Sequence, residues 1–124
     1  MNQSTQQNGS HSKQRKFERI DIARRFQVTV WDTQGRKVGV LRQLGRGGFM
    51  MEPELDYSQD SAPREFIIHE PHEDIRAQVT ARVLYGDPRF VGFEFVELDA
   101  DNAVEVGIII GKYYEVEHSR ASPS

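Results

Sequence analysis

The sequence predicts an all-β fold: a six-stranded antiparallel β-barrel with a C-terminal α-helix and a flexible N-terminal arm. Six short apolar stretches follow one another, turn residues separate them, and no helical segment lies between them. Strands joined by short turns pair antiparallel, whereas a parallel sheet needs long crossover connections. The 124 residues are enough for one such domain with a modest core.

The first half of the chain contains three of these strands. Large apolar and polar residues alternate at the start, so we expect Phe26, Val28 and Val30 to point inward. A glycine-rich corner precedes the third strand, which Pro53 should end because proline cannot donate to a central ladder. The three predicted strands comprise residues 26–31, 37–44 and 49–53.

The second half contains three more strands and the helix. A turn at residues 86–88 precedes the last strand. Asp99 or Asp101 can cap the helix, in which Val104 and Ile108 lie at helical spacing. The predicted strands comprise residues 65–69, 75–85 and 90–96. We expect the domain to span residues 15–116, between disordered tails at 1–14 and 117–124.

Composition excludes several classes of function. The formal net charge of −3 argues against binding long nucleic acid through a broad basic face. The absence of cysteine excludes a disulfide scaffold, a thiolate metal site and a cysteine nucleophile. No Ser, His and Asp arrangement carries a nucleophile motif, so we do not expect an enzyme. No apolar run is long enough for membrane insertion, and the cytoplasm is the expected location.

A histidine pair is the only candidate for a metal site. His69 and His72 have the residue type of metal ligands, but Pro71 would break a helix that aligned their imidazoles. A polar loop between two strands explains the segment equally well. We therefore expect neither a metal nor another cofactor.

Two segments carry the residues best suited to bind a ligand. Arg15 and Arg19 lie four residues apart just before the first predicted strand, and the glycine-rich segment 43–48 follows one hairpin later. A guanidinium presents a planar fork of donors that fits phosphate oxygens and the O6/N7 edge of guanine. Glycines let backbone amides approach an anion closely. Each segment alone is more often a solvated cluster or an ordinary turn.

In this order on this strand pattern, the two segments resemble the PilZ family over residues 14–114. The family's first motif, Arg-x-x-x-Arg, is matched by Arg15 and Arg19. Its second motif is Asp/Asn-x-Ser-x-x-Gly. Here Gln43 stands in place of Asp or Asn, Gly45 stands in place of Ser, and Gly48 matches. Residues 91–95 resemble the family's last strand.

The resemblance implies a bacterial, cytoplasmic receptor for the second messenger cyclic di-GMP. Its ligand-binding residues would be Arg15, Arg19, Gln43, Gly45, Arg46 and Gly48. The ligand would order the arginine arm on the barrel, and the new surface would signal to a downstream protein partner. Family members bind one nucleotide or a stacked pair, and Gln14, just before Arg15, bears on that choice.

The departures in the second motif leave a different hypothesis open. Gln43 has one uncharged carbonyl acceptor where the family has a carboxylate, and Gly45 has no hydroxyl. Each lost polar contact would weaken binding by about 1 kcal/mol. The alternative is a degenerate PilZ adaptor that binds no nucleotide and acts by protein–protein contacts.

Overall fold

The computed structural model describes residues 19–55, 57 and 61–121. Seven strands, a short 3-10 turn and one α-helix make up this part of the chain. The strands are β1 (Arg19–Asp21), β2 (Thr29–Trp31), β3 (Lys37–Gly45), β4 (Gly48–Pro53), β5 (Arg64–Glu70), β6 (Ile75–Gly86) and β7 (Val91–Glu97). The 3-10 turn is Arg24–Phe26, and the helix α1 is Ala100–Ala121.

Six of the strands close into an antiparallel barrel. Their order is β3, β2, β5, β6, β7 and β4, and β4 pairs with β3 to complete the ring. The seventh strand, β1, pairs with the C-terminal half of β3, beyond the part of β3 that pairs with β2. The predicted barrel and C-terminal helix are confirmed, and β1 is an additional strand that the sequence did not reveal.

The first predicted strand is shorter than its alternating pattern indicated. Gln27 has a left-handed backbone conformation with φ of 58°, and residues 24–26 form the 3-10 turn. The extended conformation therefore starts only after Gln27. Val28 and Val30 are fully buried as predicted, but Phe26 is only partly buried and packs against the ring of Tyr113 at 5.0 Å between centroids.

The core lies inside the barrel and continues beneath α1. Three aromatic rings contact one another at its centre: Phe49 and Phe93 stack at 4.9 Å, and Phe66 meets both edge-on. Apolar and polar side chains alternate along β6, and its apolar face is inward, with Ala77 and Ala81 completely buried. Burial of this apolar surface is the main contribution to the stability of the barrel.

The spacing of Val104 and Ile108 predicts one apolar face of α1, but the helix packs on the barrel with a different face. Those two side chains are 59% and 45% exposed, whereas Val106, Ile109 and Tyr113 are buried. Asp99 is the N-cap, because its Oδ1 accepts a 2.8 Å hydrogen bond from the backbone N–H of Asn102.

The helix continues to Ala121, past the domain limit predicted at residue 116. Glycine or proline would be the residue most expected to end it, and after Gly111 the first of these is Pro123. No helix in the described part of the chain is both long and apolar enough to cross a membrane.

Candidate functional site: the outer face of β1 and β3

The pairing of β1 with β3 decides which side chains face outward. Ile20 pairs with Leu44, and both pack on the core side. Side chains alternate between faces along a strand, and directly paired residues share a face. The neighbours of Ile20 and Leu44 therefore lie on the opposite side of the sheet. This outer face carries Arg19, Asp21, Gln43 and Gly45.

Arg19 extends across the outer face over two glycines. Gly45 is its direct partner on β3, and Gly48 lies on β4 across the short hairpin turn. The guanidinium Nη2 donates a 3.3 Å hydrogen bond to the backbone oxygen of Phe93 on β7. A Cβ atom at Gly48 would lie 3.0 Å from that Nη2 and 2.0 Å from the Phe93 oxygen. Gly48 is thus required for two reasons: a larger residue would clash with β7, and it would clash with the Arg19 side chain.

Arg46 lies in the turn between β3 and β4 and faces the same groove as Arg19. This groove, which we call the arginine groove, has a volume of about 480 Å³ and is also lined by Leu84, Glu94 and Val96. The guanidinium of Arg46 reaches α1, where its nitrogens would be 3.8 Å from a Cβ atom at Gly107. The fold therefore brings together two predicted arginines that lie 27 positions apart in the sequence.

Gln43 lies beside a second groove and is paired with an acid. Its Nε2 donates a 2.8 Å hydrogen bond to Oδ1 of Asp21, the residue directly opposite on β1. Both side chains line a groove of about 650 Å³, which we call the aromatic groove. Its other walls include Phe26, Arg42, Met50, Phe90 and Tyr113. The sequence did not single out Asp21, because only the β1–β3 register brings it to Gln43.

Arg42 lines the aromatic groove at a β-bulge in β3. The β3–β4 register shifts between Leu41 and Gln43, so Arg42 has no direct partner on β4. Its Nη1 forms an ion pair with Glu52, whose other oxygen lies 3.1 Å from Nε of Arg24. The Nε of Arg42 is buried without a hydrogen-bond partner among the described residues. Two arginines thus share one carboxylate.

The histidines that the sequence marked as candidate ligands bind carboxylates instead. Nε2 of His69 lies 2.8 Å from Oδ1 of Asp74, and Nδ1 of His72 lies 2.9 Å from Oε2 of Glu70. Within the described ranges, no group of three or more acidic or histidine side chains is arranged to hold a metal ion. The histidines contribute to local structure at the β5–β6 turn.

Glu70 is the centre of a closed hydrogen-bonded cluster, which we call the Glu70 cluster. Its carboxylate is completely buried and accepts hydrogen bonds from the Tyr113 hydroxyl at 2.7 Å and from the backbone N–H groups of His72 and Glu73. Burial acts to raise the pKa of Glu70, but the hydrogen bonds from Tyr113, Glu73 and His72 outweigh it and lower that pKa to about 2. Burial and the adjacent Glu70 charge raise the pKa of Tyr113. The cluster ties α1 to the barrel.

The predicted site residues fall into four groups. Arg15 lies outside the described residues. Arg19 and Arg46 face one groove, and Gln43 faces the adjacent one. Gly45 and Gly48 lie beneath and beside Arg19. Their role in binding is a prediction that this geometry leaves to experiment.

The fold and this face together define a class of protein: a small closed β-barrel, capped by a C-terminal helix, with arginines and glycines on β1 and at the β3–β4 hairpin. No family model matches the sequence, and no curated protein matches it significantly. Solved structures do match the fold.

The PilZ domain with c-di-GMP of YcgR from Escherichia coli aligns with a TM-score of 0.67 at 12% identity, over 86% of this chain and 95% of that one. The PilZ domain of CeSA from a cellulose-synthesizing bacterium aligns with a TM-score of 0.55 at 18% identity, over 78% and 98%. The Bacillus subtilis inhibitor of motility, MotI/DgrA, aligns with a TM-score of 0.60 at 16% identity. This chain is 80% covered in that alignment and spans half of the MotI/DgrA chain. The fold of this chain is PilZ-like.

Proposed function

We propose that this protein is a cyclic di-GMP receptor that signals to a protein partner and is not an enzyme. The observation that carries the proposal is that Arg19 and Arg46 line one groove, next to the groove that Gln43 lines, and that Gly48 leaves room for the Arg19 side chain. Two guanidinium groups that face one groove offer several N–H donors to a phosphate, and phosphate is the group that such forks recognise best. The YcgR domain with a similar fold was solved with c-di-GMP.

The ligand competes with contacts that the protein makes by itself. One N–H of Arg19 donates to the Phe93 backbone oxygen at 3.3 Å, which is long for a hydrogen bond. A guanidinium has five N–H donors, so most of its capacity is left for an anion. We propose that Arg15, which lies outside the described residues, adds a second guanidinium from the N-terminal arm. Binding would then order this arm on the barrel.

The partner is expected to recognise a surface next to the ligand. Leu84 and Val96 line the arginine groove and are 54% and 37% exposed. An ordered arm beside these apolar side chains would create a composite surface that the free protein lacks. The affinity of the protein for its partner would therefore depend on whether the ligand is bound.

Calorimetric titration with cyclic di-GMP tests the receptor proposal. The wild-type chain should bind, and Arg19→Ala should lower the affinity about 10- to 100-fold, because it removes a hydrogen-bond donor to a charged phosphate. Arg15→Ala should weaken binding in the same direction.

Arg76→Ala is the matched control for loss of one positive charge. Arg76 is exposed, pairs with Asp74 at 3.3 Å and lines neither groove. Its replacement should leave the affinity unchanged. No heat with the wild-type chain at high micromolar ligand would contradict the receptor proposal, and equal loss in the Arg76 variant would contradict the arginine groove as the site.

A second candidate function is an adaptor that binds no nucleotide. The observation that favours it is the Phe93 contact of Arg19, which already holds this guanidinium on the barrel without a ligand. In that case protein contacts alone would occupy the arginine groove. The same titration separates the two functions, because an adaptor of this kind gives no heat with cyclic di-GMP.

A further inference from the structure

We propose that Asp21 is the residue that selects guanine, by accepting hydrogen bonds from the base edge in the aromatic groove. This inference rests on the proposed function and deepens it. Guanine presents two neighbouring N–H donors, N1–H and the N2 amino group, on its Watson–Crick edge. A carboxylate accepts two such bonds side by side, whereas a neutral amide offers one oxygen.

Among the described residues that line the aromatic groove, Asp21 is the one carboxylate. Glu52 is held between Arg24 and Arg42, and Glu94 forms a 2.7 Å ion pair with Arg82. Asp21 is exposed, and its hydrogen-bond partner is the neutral amide of Gln43. Among residues that the structure describes, no arginine, lysine or histidine forms an ion pair with it. Oδ2 of Asp21 is therefore available to a ligand.

Gln43 orients this carboxylate. The 2.8 Å bond from Gln43 Nε2 to Oδ1 fixes one side of the Asp21 side chain, so that Oδ2 is left for another donor. The pair spans the β1–β3 ladder at the mouth of the aromatic groove. A short acid on β1, supported by a long amide on β3, thereby gives this surface the acceptor that Gln43 alone lacks.

The surroundings suit a purine. Phe26, Met50 and Phe90 give the aromatic groove apolar walls against which a flat base can pack, and its volume of about 650 Å³ is ample. Asp21 is two residues from Arg19 on the same face of β1, a separation of about 7 Å along the strand. One nucleotide can therefore place its phosphate at the arginine groove and its base edge at Asp21.

Titration with cyclic di-GMP and with cyclic di-AMP tests this inference. Adenine carries an acceptor, N1, where guanine carries the N1–H donor, so a carboxylate favours guanine and repels adenine. We expect Asp21→Asn to lower the affinity for cyclic di-GMP about 10- to 100-fold and to reduce the preference over cyclic di-AMP. Because Asp21 is exposed, the variant should fold, which an unchanged melting curve will confirm.

The swap variant Asp21→Asn/Gln43→Asp is the decisive comparison. It keeps one carboxylate and one amide in the same cross-strand pair and should recover most of the guanine preference. Asp101→Asn, an exposed acid on α1, controls for the loss of one negative charge and should bind as the wild type does.

The two proposals fail in different ways. If wild type binds cyclic di-GMP, Arg19→Ala weakens binding and Asp21→Asn changes neither affinity nor preference, the Asp21 inference is wrong and the receptor proposal stands. If the wild-type chain binds neither nucleotide, both are wrong. Failure of the swap variant to recover the preference would also overturn a direct role for the carboxylate.

Discussion

Glu70 and Asp21 are both carboxylates that accept a hydrogen bond from a residue lining the aromatic groove, but their surroundings are opposite. Glu70 is completely buried, and Tyr113, His72 and Glu73 satisfy its oxygens. Asp21 is exposed, with Gln43 as its hydrogen-bond partner. A buried charge must be satisfied internally or the fold loses stability, whereas an exposed one is satisfied by water until a ligand displaces that water.

This contrast separates a structural region from a candidate binding region. The Glu70 cluster uses its hydrogen-bonding capacity to join the β5–β6 turn to α1, so changes there should alter stability. The outer face of β1 and β3 has hydrogen-bond donors and acceptors that the fold does not use. Most changes there should therefore alter ligand binding rather than stability. Gly48 is the exception, because it serves strand packing and Arg19 together.

Gly48→Ala should have the largest effect on stability. The added Cβ would meet the Phe93 backbone oxygen at 2.0 Å, and backbone on two paired strands cannot move away cheaply. We expect the free energy of unfolding to fall by about 3 kcal/mol, measured by urea denaturation. Gly111→Ala is the control: nothing lies within 4 Å of its Cβ position, and better helix propensity should stabilise α1 by about 1 kcal/mol. Equal tolerance of both substitutions would contradict the packing role of Gly48.

Acid should weaken the fold through Glu70. Its pKa is lowered to about 2 from an ordinary value of 4.5, so the unfolded chain takes up the proton first as pH falls. The stabilisation is complete above about pH 5 and is lost as pH falls towards 2, amounting to about 3 kcal/mol. Denaturation of wild type and Glu70→Gln at pH 6 and pH 3 measures it. Other acids titrate in both chains and lower the stability of both, so the contribution of Glu70 is the additional loss of stability in wild type. Equal losses in the two chains would show that Glu70 is not the group responsible.

Tyr113→Phe should have a smaller effect. It removes one hydrogen bond to a buried charge and retains the ring that packs on Phe26, so we expect a loss of about 2 kcal/mol in chemical denaturation. Tyr85→Phe is the matched control: Tyr85 is exposed, its ring covers Gly92, and its hydroxyl forms no hydrogen bond with the residues that the structure describes. Its stability should stay within about 0.5 kcal/mol of wild type. A similar loss in both variants would contradict the special role of the Glu70 bond.

Much of the fold could be predicted from the sequence because the strands carry local signals. The alternation in β6 and the turn chemistry of residues 86–88 each depend on neighbours in the chain, and six strands with a C-terminal helix followed from them. β1 could not be predicted in this way, because three residues have no detectable period and their extended conformation depends on pairing with β3. Phe26 was misplaced because Gln27 adopts a left-handed conformation that few non-glycine residues favour.

In the candidate site, too, some residues could be selected from the sequence and others only from the structure. Residue type made Arg19, Arg46 and Gly48 candidates, since guanidinium and glycine have intrinsic properties that suit anions, and the resemblance to the PilZ motif added Gln43. That these residues bind a ligand stays a prediction. The sequence by itself thus determined the barrel, the helix and the chemistry of the expected ligand. Only the tertiary structure decided that Gln43 donates a hydrogen bond to Asp21, that Arg19 crosses Gly48 to reach Phe93, and that Glu70 rather than a histidine pair organises the β5–β6 turn. These contacts join residues distant in the chain, so their energies exist only once strand register and helix docking are in place.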